Sequence, residues 1–317
     1  MFATVRLSLL RASLAALFLL TSACASAPTP APTPTALPPI QLTDGAGRSV
    51  TLPAPAQRVI SLAPSNTEIL FAIGAGAQVV GRDAFSDYPE EAKAVADIGG
   101  GFGELNTELI LAQKPDLVLA SSLTPPEQIQ TLENLKLPVF VLTNPKDLEG
   151  MYANLQTVGQ LTGHQPEAET LVSTLKQRVA GLQEKLKAVQ QRPLVFYELD
   201  GTDPNAPWTP GPGTFVASLI EMAGAQNLGS SLEGEWVQIS IEELIAKQPE
   251  MVLIGDYTWG GVTPEDVKAR AGWDALQAVQ NGQLHPFDDN LVSRPGPRLV
   301  DGLEALARLF HPELFQQ

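Results

Sequence analysis

Two matching stretches, one in each half of the chain, decide the fold: Leu105–Ala120 reads LNTELILAQKPDLVLA, and Ile239–Gly255 reads ISIEELIAKQPEMVLIG. At a constant offset they align Glu108 with Glu242. A single duplication with a long period is not a solenoid, because a solenoid needs several short repeats. The repeat therefore predicts two similar α/β lobes with a cleft between them, in which Glu108 and Glu242 are related by symmetry.

Continuous apolar runs predict the strands of both lobes. Buried parallel strands lack the alternation of half-exposed ones, and strands that alternate with helices indicate an α/β fold. The predicted strands are 58–62, 79–81, 116–120, 139–142, 194–199 and 251–255. A hairpin is predicted at 41–52, and the sequence SNTE at Ser65–Glu68 predicts a capping box that opens a helix.

The longest helical pattern, Glu167–Val189, lies between the two repeats. Its apolar residues recur at helical spacing with charged residues between them. Its position predicts a helix that connects the two lobes.

The first residues of the chain predict an export signal that ends at a cysteine. Arg6 and Arg11 make a basic start, and the apolar run Ala12–Leu20 follows. A membrane span needs roughly 20 apolar residues, and Arg11 leaves too few. Cys24 lies where a bacterial lipobox has its lipidated cysteine, and the proline-rich residues after it predict an extended tether.

The predicted organisation therefore has five parts. These are a signal peptide at 1–23, Cys24 with the tether at 24–40, an N-terminal lobe at 41–147, a connecting helical segment at 148–191 and a C-terminal lobe at 192–317. The protein is expected to be a monomer in the cell envelope, anchored to a membrane on its extracytoplasmic side.

Composition and motifs argue against two classes of function. A net charge of −15 argues against nucleic-acid binding, which needs clustered positive charge. The chain has three histidines and none is in a metal-ligand pattern, so neither a metal site nor a cofactor is expected. No nucleophile elbow, P-loop or dinucleotide fingerprint occurs, so the sequence does not predict an enzyme.

Aromatic residues occupy the loops that follow strands or precede helices. Such loops gather at the carboxyl ends of parallel strands, where ligands bind, and flat aromatic side chains suit a large planar or apolar ligand. The alternative is ordinary packing beneath long loops. The residues are Phe85, Tyr88, Phe102, Trp208, Trp236, Tyr257 and Trp259.

Four segments together resemble the substrate-binding proteins of ABC importers for cobalamin and ferric siderophores, and most of all the members that bind cobalamin. The segments are RVISLAPSNTEILFAIGAGAQVVG at 58–81, SDYP at 86–89, Leu105–Ala120 and 236–255. The resemblance covers nearly all of residues 41–317. It implies a class III periplasmic binding protein, with two Rossmann-like lobes joined by a single long rigid helix.

The resemblance also implies roles for individual residues. Phe85 and Phe102 lie where cobalamin binders have a pocket tyrosine and tryptophan, and Trp236 lies on a pocket tryptophan. Glu108 and Glu242 align with the glutamates by which family members dock their two lobes onto arginines of the permease. The permease and its ATPase are therefore the expected partners. The alternative for both glutamates is a favourable interaction with the helix dipole.

Three functions remain open from the sequence. The first is capture of a corrinoid for import, and the second is capture of a ferric siderophore or haem in the same fold. An anionic siderophore needs several arginines in its site. The loops contain Arg82, Arg294 and Arg298, and Arg298 is expected to have a structural role at the start of the last helix. Haem needs an axial ligand, such as Tyr257 or His285. The third function is an exported enzyme on this scaffold. Because the loops contain few arginines, the sequence favours the corrinoid. The expected ligand site also includes Trp208, Tyr257, Trp259 and Arg294.

Overall fold

The computed structural model describes residues 38–101 and 103–316, which belong to one compact unit. Cys24, Phe102 and most of the predicted tether lie outside the described residues. Among the described residues, no helix is both long enough and apolar enough to cross a lipid bilayer.

The described residues form short strands and helices that alternate along much of the chain. The strands are β1 (Ile40–Thr43), β2 (Ser49–Leu52), β3 (Val59–Ser61), β4 (Val79–Arg82), β5 (Leu117–Ser121), β6 (Val139–Leu142), β7 (Leu194–Glu198), β8 (Trp208–Pro210), β9 (Gln226–Asn227), β10 (Trp236–Gln238), β11 (Met251–Ile254) and β12 (Leu284–Pro286). The helices are α1 (Pro64–Ala72), α2 (Thr107–Ala112), α3 (Pro126–Asn134), α4 (Leu148–Thr162), α5 (Gln165–Leu186), α6 (Phe215–Met222), α7 (Ile241–Lys247), α8 (Tyr257–Gly260), α9 (Pro264–Lys268), α10 (Gln277–Gln280), α11 (Asn290–Ser293) and α12 (Leu299–Phe310).

Two parallel sheets of four strands organise these elements. The first has the order β4-β3-β5-β6 and the second the order β12-β11-β7-β9. We call the halves built on them the N-terminal lobe and the C-terminal lobe. The two-lobed α/β fold that the repeat predicts is confirmed, and both members of the repeat supply a helix followed by a strand: α2 with β5, and α7 with β11.

Two antiparallel ribbons accompany the parallel sheets. β1 and β2 form the hairpin predicted at 41–52, with Ile40 opposite Leu52. In the C-terminal lobe β8 pairs with β10, so that Trp236 lies opposite Pro210. This second ribbon presents Trp208 and Trp236 with more than a third of each residue exposed.

One hydrophobic core cluster runs through both lobes. It includes Val59 and Leu70 of the N-terminal lobe, Leu155 of α4, Leu175 of α5 and Leu303 of α12, all nearly inaccessible to solvent. Two smaller clusters lie elsewhere, one in each lobe. Because each buried leucine is worth about 1.5–3 kcal/mol, the shared cluster couples the stability of the two lobes.

Two helices, α4 and α5, connect the sheets. They are separated by Gly163, whose φ of 79° ends α4 in the left-handed conformation that glycine adopts without strain. Pro166 then lies in the first turn of α5, where its missing N–H costs nothing. The pattern at 167–189 thus corresponds to α5, but a single rigid connecting helix is not confirmed.

Candidate ligand-binding cleft

A cavity of about 490 Å³ lies between the two lobes. The N-terminal lobe contributes the first turns of α1 and the loops that follow β5 and β6. The C-terminal lobe contributes Leu199 after β7, part of α6, Trp236 of β10 and the segment Ser293–Pro295 before α12. Several of these segments follow the carboxyl ends of parallel strands, which is where α/β proteins bind ligands. We call this cavity the cleft.

The wall of the cleft is mostly apolar, with neutral polar groups between the apolar ones. Trp236 packs edge-on against Phe215, with ring centroids 6.1 Å apart and an interplanar angle of 68°. Phe215 is buried and holds one edge of the indole, which leaves part of Trp236 open to the cleft. Serine, threonine and asparagine side chains at the ends of β5 and β6 supply neutral hydrogen-bonding groups. Such a wall suits a large ring system with uncharged polar substituents.

Arg294 is the single charged residue in the wall of the cleft within the described part of the chain. Its guanidinium is ion-paired with carboxylates of the other lobe. Nη1 lies 2.5 Å from Oδ1 of Asp87 and 3.7 Å from Oε1 of Glu68, both in the N-terminal lobe. Arg294, predicted to contact ligand, is therefore placed in the cleft but already ion-paired across it.

Glu68 is the centre of this interlobe cluster. Arg298 donates to both of its carboxylate oxygens, at 2.9 and 2.5 Å, and the guanidinium also lies 4.0 Å from the ring centroid of Tyr88. Burial raises the pKa of Glu68, while the two guanidiniums act in the opposite direction. Arg298 lies at the N-terminus of α12, so its expected structural role agrees with this arrangement.

The capping box predicted at Ser65–Glu68 is wrong. α1 begins one residue earlier, at Pro64, and the residue before it, Ala63, has no side chain that could cap. Glu68 is therefore in the interior of the helix, and its carboxylate is turned toward the C-terminal lobe. The acid that the sequence assigns to a helix end instead joins the two lobes.

Four other aromatic side chains of the predicted ligand site are exposed but do not belong to the wall of the cleft. Trp208 lies on β8, Tyr257 and Trp259 on α8, and Phe85 in the loop after β4. Their role in binding stays a prediction. Phe102, also assigned to the ligand site, lies outside the described residues.

The sequence analysis missed the loop after β5. Ser121, Ser122 and Leu123 line the cleft, and Leu123 is 83% exposed. The signal was available, because these residues directly follow a predicted strand and the carboxyl ends of strands form the site. The predicted ligand site consisted mainly of aromatic residues and so did not include these three.

A second cavity, of about 660 Å³, lies on another face of α1. Glu68, Tyr88, Arg178, Arg298 and Asp301 contribute to its wall. Although it is larger than the cleft, it is lined by several charges and is away from the strand ends. The cleft, and not this cavity, is therefore the candidate ligand site.

A buried carboxyl pair lies at the ends of β7 and β11. Arg270 donates to both oxygens of Glu198, at 2.5 and 3.0 Å, and Gly201 N donates to Asp256 at 2.9 Å. Burial raises the pKa of Glu198 to about 7, because it outweighs the attraction of Arg270, and it raises the pKa of Asp256 as well. Leu199, the next residue after Glu198, lines the cleft.

Glu108 and Glu242 occupy equivalent places in the two lobes. Each lies in the first turn of its helix, α2 or α7, and each is exposed. Side chains of Asn106 and Ser240 cap the two helices, so neither glutamate is needed as a cap. Within residues 38–101 and 103–316, no group of three or more histidine, cysteine or acidic residues could hold a metal ion.

Comparison with known proteins places the chain among binding proteins. A family profile described as "Periplasmic binding protein" matches residues 59–291. An uncharacterised ABC transporter substrate-binding lipoprotein of Bacillus subtilis is 31% identical over 284 residues, which is 88% of each chain. A vitamin B12-binding protein of Pectobacterium atrosepticum is 33% identical over 248 residues, or 77% of this chain and 85% of that protein.

A solved structure with the same fold is named for binding haem rather than vitamin B12. The periplasmic heme-binding protein RhuT from Roseiflexus, in its apo form, superposes with a TM-score of 0.74 and is 27% identical, covering 82% of this chain and 99% of that one. Relatives of this chain thus include proteins named for a corrinoid and for haem, both large metal-bearing macrocycles.

Proposed function

The chain belongs to the periplasmic binding protein family, and on that premise we propose that it captures a corrinoid in the cleft and delivers it to an ABC importer. A permease and its ATPase are then its partners, and no catalytic step is assigned to it. We further propose that Cys24 carries a lipid and that residues 25–39 keep the binding domain near the outer face of a membrane.

One observation carries the choice of ligand: the described residues in the wall of the cleft are apolar or uncharged polar ones, apart from Arg294, which is already ion-paired. A corrinoid has a broad ring whose edge bears mainly amide groups, which match the serine, threonine and asparagine side chains of the wall. A siderophore with several negative charges gains little from a cleft with one neutralised guanidinium.

Haem is the second candidate, and the likeness to a haem-binding structure supports it. Haem brings two propionates and requires an axial ligand from the protein. Tyr257 is exposed near the carboxyl end of β11, but it is not part of the wall of the cleft. His285 lies on β12, with its Nε2 3.0 Å from Oε1 of Gln283.

Titration of the purified protein with cobalamin, haem and a ferric hydroxamate tests the proposal. We expect cobalamin to quench tryptophan fluorescence at micromolar or lower concentration, because Trp236 lines the cleft. Haem coordinated by the protein gives a shifted Soret band and a ferric hydroxamate shifts its charge-transfer band. Tight binding of either compound with no response to cobalamin contradicts the corrinoid assignment.

A further inference from the structure

Among the described residues, the one formal charge in the wall of the cleft is neutralised from the opposite lobe. Arg294 belongs to the C-terminal lobe, and its side chain is 16% exposed. Asp87 belongs to the N-terminal lobe and lies 2.5 Å from it, whereas Glu68 lies 3.7 Å from it. Because the two ends of the ion pair come from different lobes, it joins the lobes beside the cleft.

Asp87 rather than Glu68 is the counter-ion of Arg294. Arg298 already occupies both carboxylate oxygens of Glu68, at 2.9 and 2.5 Å, so the charge of Glu68 is largely balanced by Arg298. Two carboxylates and two guanidiniums then leave no net charge in the cluster. Partial burial acts to raise the pKa of Asp87, but the hydrogen bond and charge of Arg294 outweigh it and lower that pKa.

We infer that Asp87 is a specificity-determining residue, which occupies Arg294 and so selects ligands that present an amide or apolar edge to this wall over ligands that present a carboxylate. The inference rests on the proposed function, since it treats the cleft as the ligand site. It adds a chemical rule for the ligand: its groups next to Arg294 are uncharged.

The physical reason is competition between two anions. A ligand carboxylate near Arg294 must either displace Asp87 from it or remain close to Asp87, and like charges in a partly buried site repel each other. A neutral amide faces no such repulsion and can accept a hydrogen bond from the remaining guanidinium N–H groups. Discrimination of this kind comes from penalising the wrong ligand.

Replacement of Asp87 by asparagine tests the inference with two pairs of probes that differ in charge. The first pair is cobalamin and its monocarboxylic acids, in which one peripheral amide is hydrolysed. The second pair is haem and its dimethyl ester. In Asp87→Asn we expect the affinity ratio of charged to neutral probe to rise roughly tenfold in at least one pair, which corresponds to about 1.4 kcal/mol, because the charged probe gains more from the released guanidinium than the neutral probe does.

Two controls separate a charge effect from a structural one. Asp97→Asn removes an exposed carboxylate that lies 3.6 Å from Arg82 and does not line the cleft, so the ratio should stay at the wild-type value. Adding Arg294→Gln to Asp87→Asn should abolish the gain, because the uncovered guanidinium is then absent. Far-ultraviolet circular dichroism and melting curves check that each variant is folded.

The outcomes are distinct. Three outcomes overturn the assignment of Asp87. These are unchanged ratios in both pairs, an equal change in affinity for charged and neutral probes, and no binding of any probe to the wild type or to Asp87→Asn. If the wild type binds no cobalamin but the haem pair responds to Asp87→Asn as expected, the corrinoid proposal fails and the role of Asp87 stands.

Discussion

Trp236 provides the largest flat surface in the wall of the cleft. Because buried aromatic anchors carry much of the energy of binding sites, we expect Trp236→Ala to weaken cobalamin binding by roughly 2 kcal/mol or more. Isothermal titration calorimetry measures the change without depending on tryptophan fluorescence. Leu135→Ala is the control, because Leu135 is an exposed apolar residue that does not line the cleft. Equal losses in the two variants contradict the place given to Trp236.

Glu198 makes stability depend on pH in a definite direction. Its pKa is about 7 in the folded protein, against an ordinary value of 4.5. Between about pH 4.5 and pH 7 the folded state therefore retains a proton that the unfolded state has released. The contribution of the protonated Glu198 to the free energy of unfolding is full below about pH 4.5 and is lost as the pH rises through 7. The loss is about 3 kcal/mol at most, and it should appear as a falling melting temperature between pH 5 and pH 8.

Glu198→Gln tests the source of this slope. Glutamine resembles the protonated acid, so the melting temperature of the variant should vary much less over the same range. Glu265→Gln, at an exposed site in the same lobe, should leave the slope unchanged. A slope that survives in Glu198→Gln shows that another group is responsible.

In its first turn α2 presents Glu108 to solvent, and α7 presents Glu242 together with Glu243. We expect the double variant Glu108→Ala with Glu242→Ala to bind ligand normally but to fail to stimulate the ATPase of the transporter. If the two glutamates dock onto permease arginines, as the family resemblance implies, each lost carboxylate leaves an arginine unpaired, at a cost of about 2–5 kcal/mol where the contact is desolvated. The measurement is ATP hydrolysis by the reconstituted transporter with ligand-loaded protein.

The matched control is Glu127→Ala with Glu243→Ala. Glu127 lies in the first turn of α3 and Glu243 next to Glu242 on α7, and both are exposed. This variant removes the same charge without removing the symmetric pair, so it should stimulate hydrolysis normally. If the two double variants behave alike, net charge rather than docking by Glu108 and Glu242 explains the effect.

Secondary structure was predictable where continuous apolar runs marked the strands. The strands β3, β5, β6 and β11 lie within a residue or two of their predicted bounds, because continuous apolar runs have few alternatives in a parallel sheet. The connection was expected to be one helix, at 167–189, and α4 was not predicted as a separate helix before it. The apolar spacing of the residues that followed dominated the prediction.

Contacts between distant residues could not be predicted in this way. Arg298 and Glu68 are 230 residues apart, and a capping box was the simpler local explanation for that glutamate. The same limit applies to the aromatic residues. Their loops were placed at strand ends, but a loop sequence does not fix the direction of a side chain, and Trp236 was the one described aromatic residue of the predicted set that reached the wall of the cleft.

The prediction at the scale of the whole molecule is attachment to a membrane through a lipid on Cys24. Cys24 lies outside the described residues, and its lipidation stays a prediction. A single thioether-linked lipid group and the tether should hold the protein on membranes, so Cys24→Ser should move it to the supernatant after ultracentrifugation of the cell envelope fraction. If the variant still sediments with membranes, another segment anchors the chain.

The proposed function requires that the space between the two lobes holds a corrinoid. Ser122 is exposed at the edge of the cleft and lines it, so a tryptophan there should fill part of the space without entering the core. Ser173, exposed on α5, is the control position for a tryptophan outside the cleft.

Calorimetric titration of cobalamin into the wild type, Ser122→Trp and Ser173→Trp is the most direct test. We expect the wild type and Ser173→Trp to bind one cobalamin per chain with the same affinity, at micromolar or lower concentration, and Ser122→Trp to bind at least about tenfold more weakly, a difference of about 1.4 kcal/mol. No binding by the wild type, or equal binding by all three proteins, contradicts the claim that the cleft is a corrinoid site.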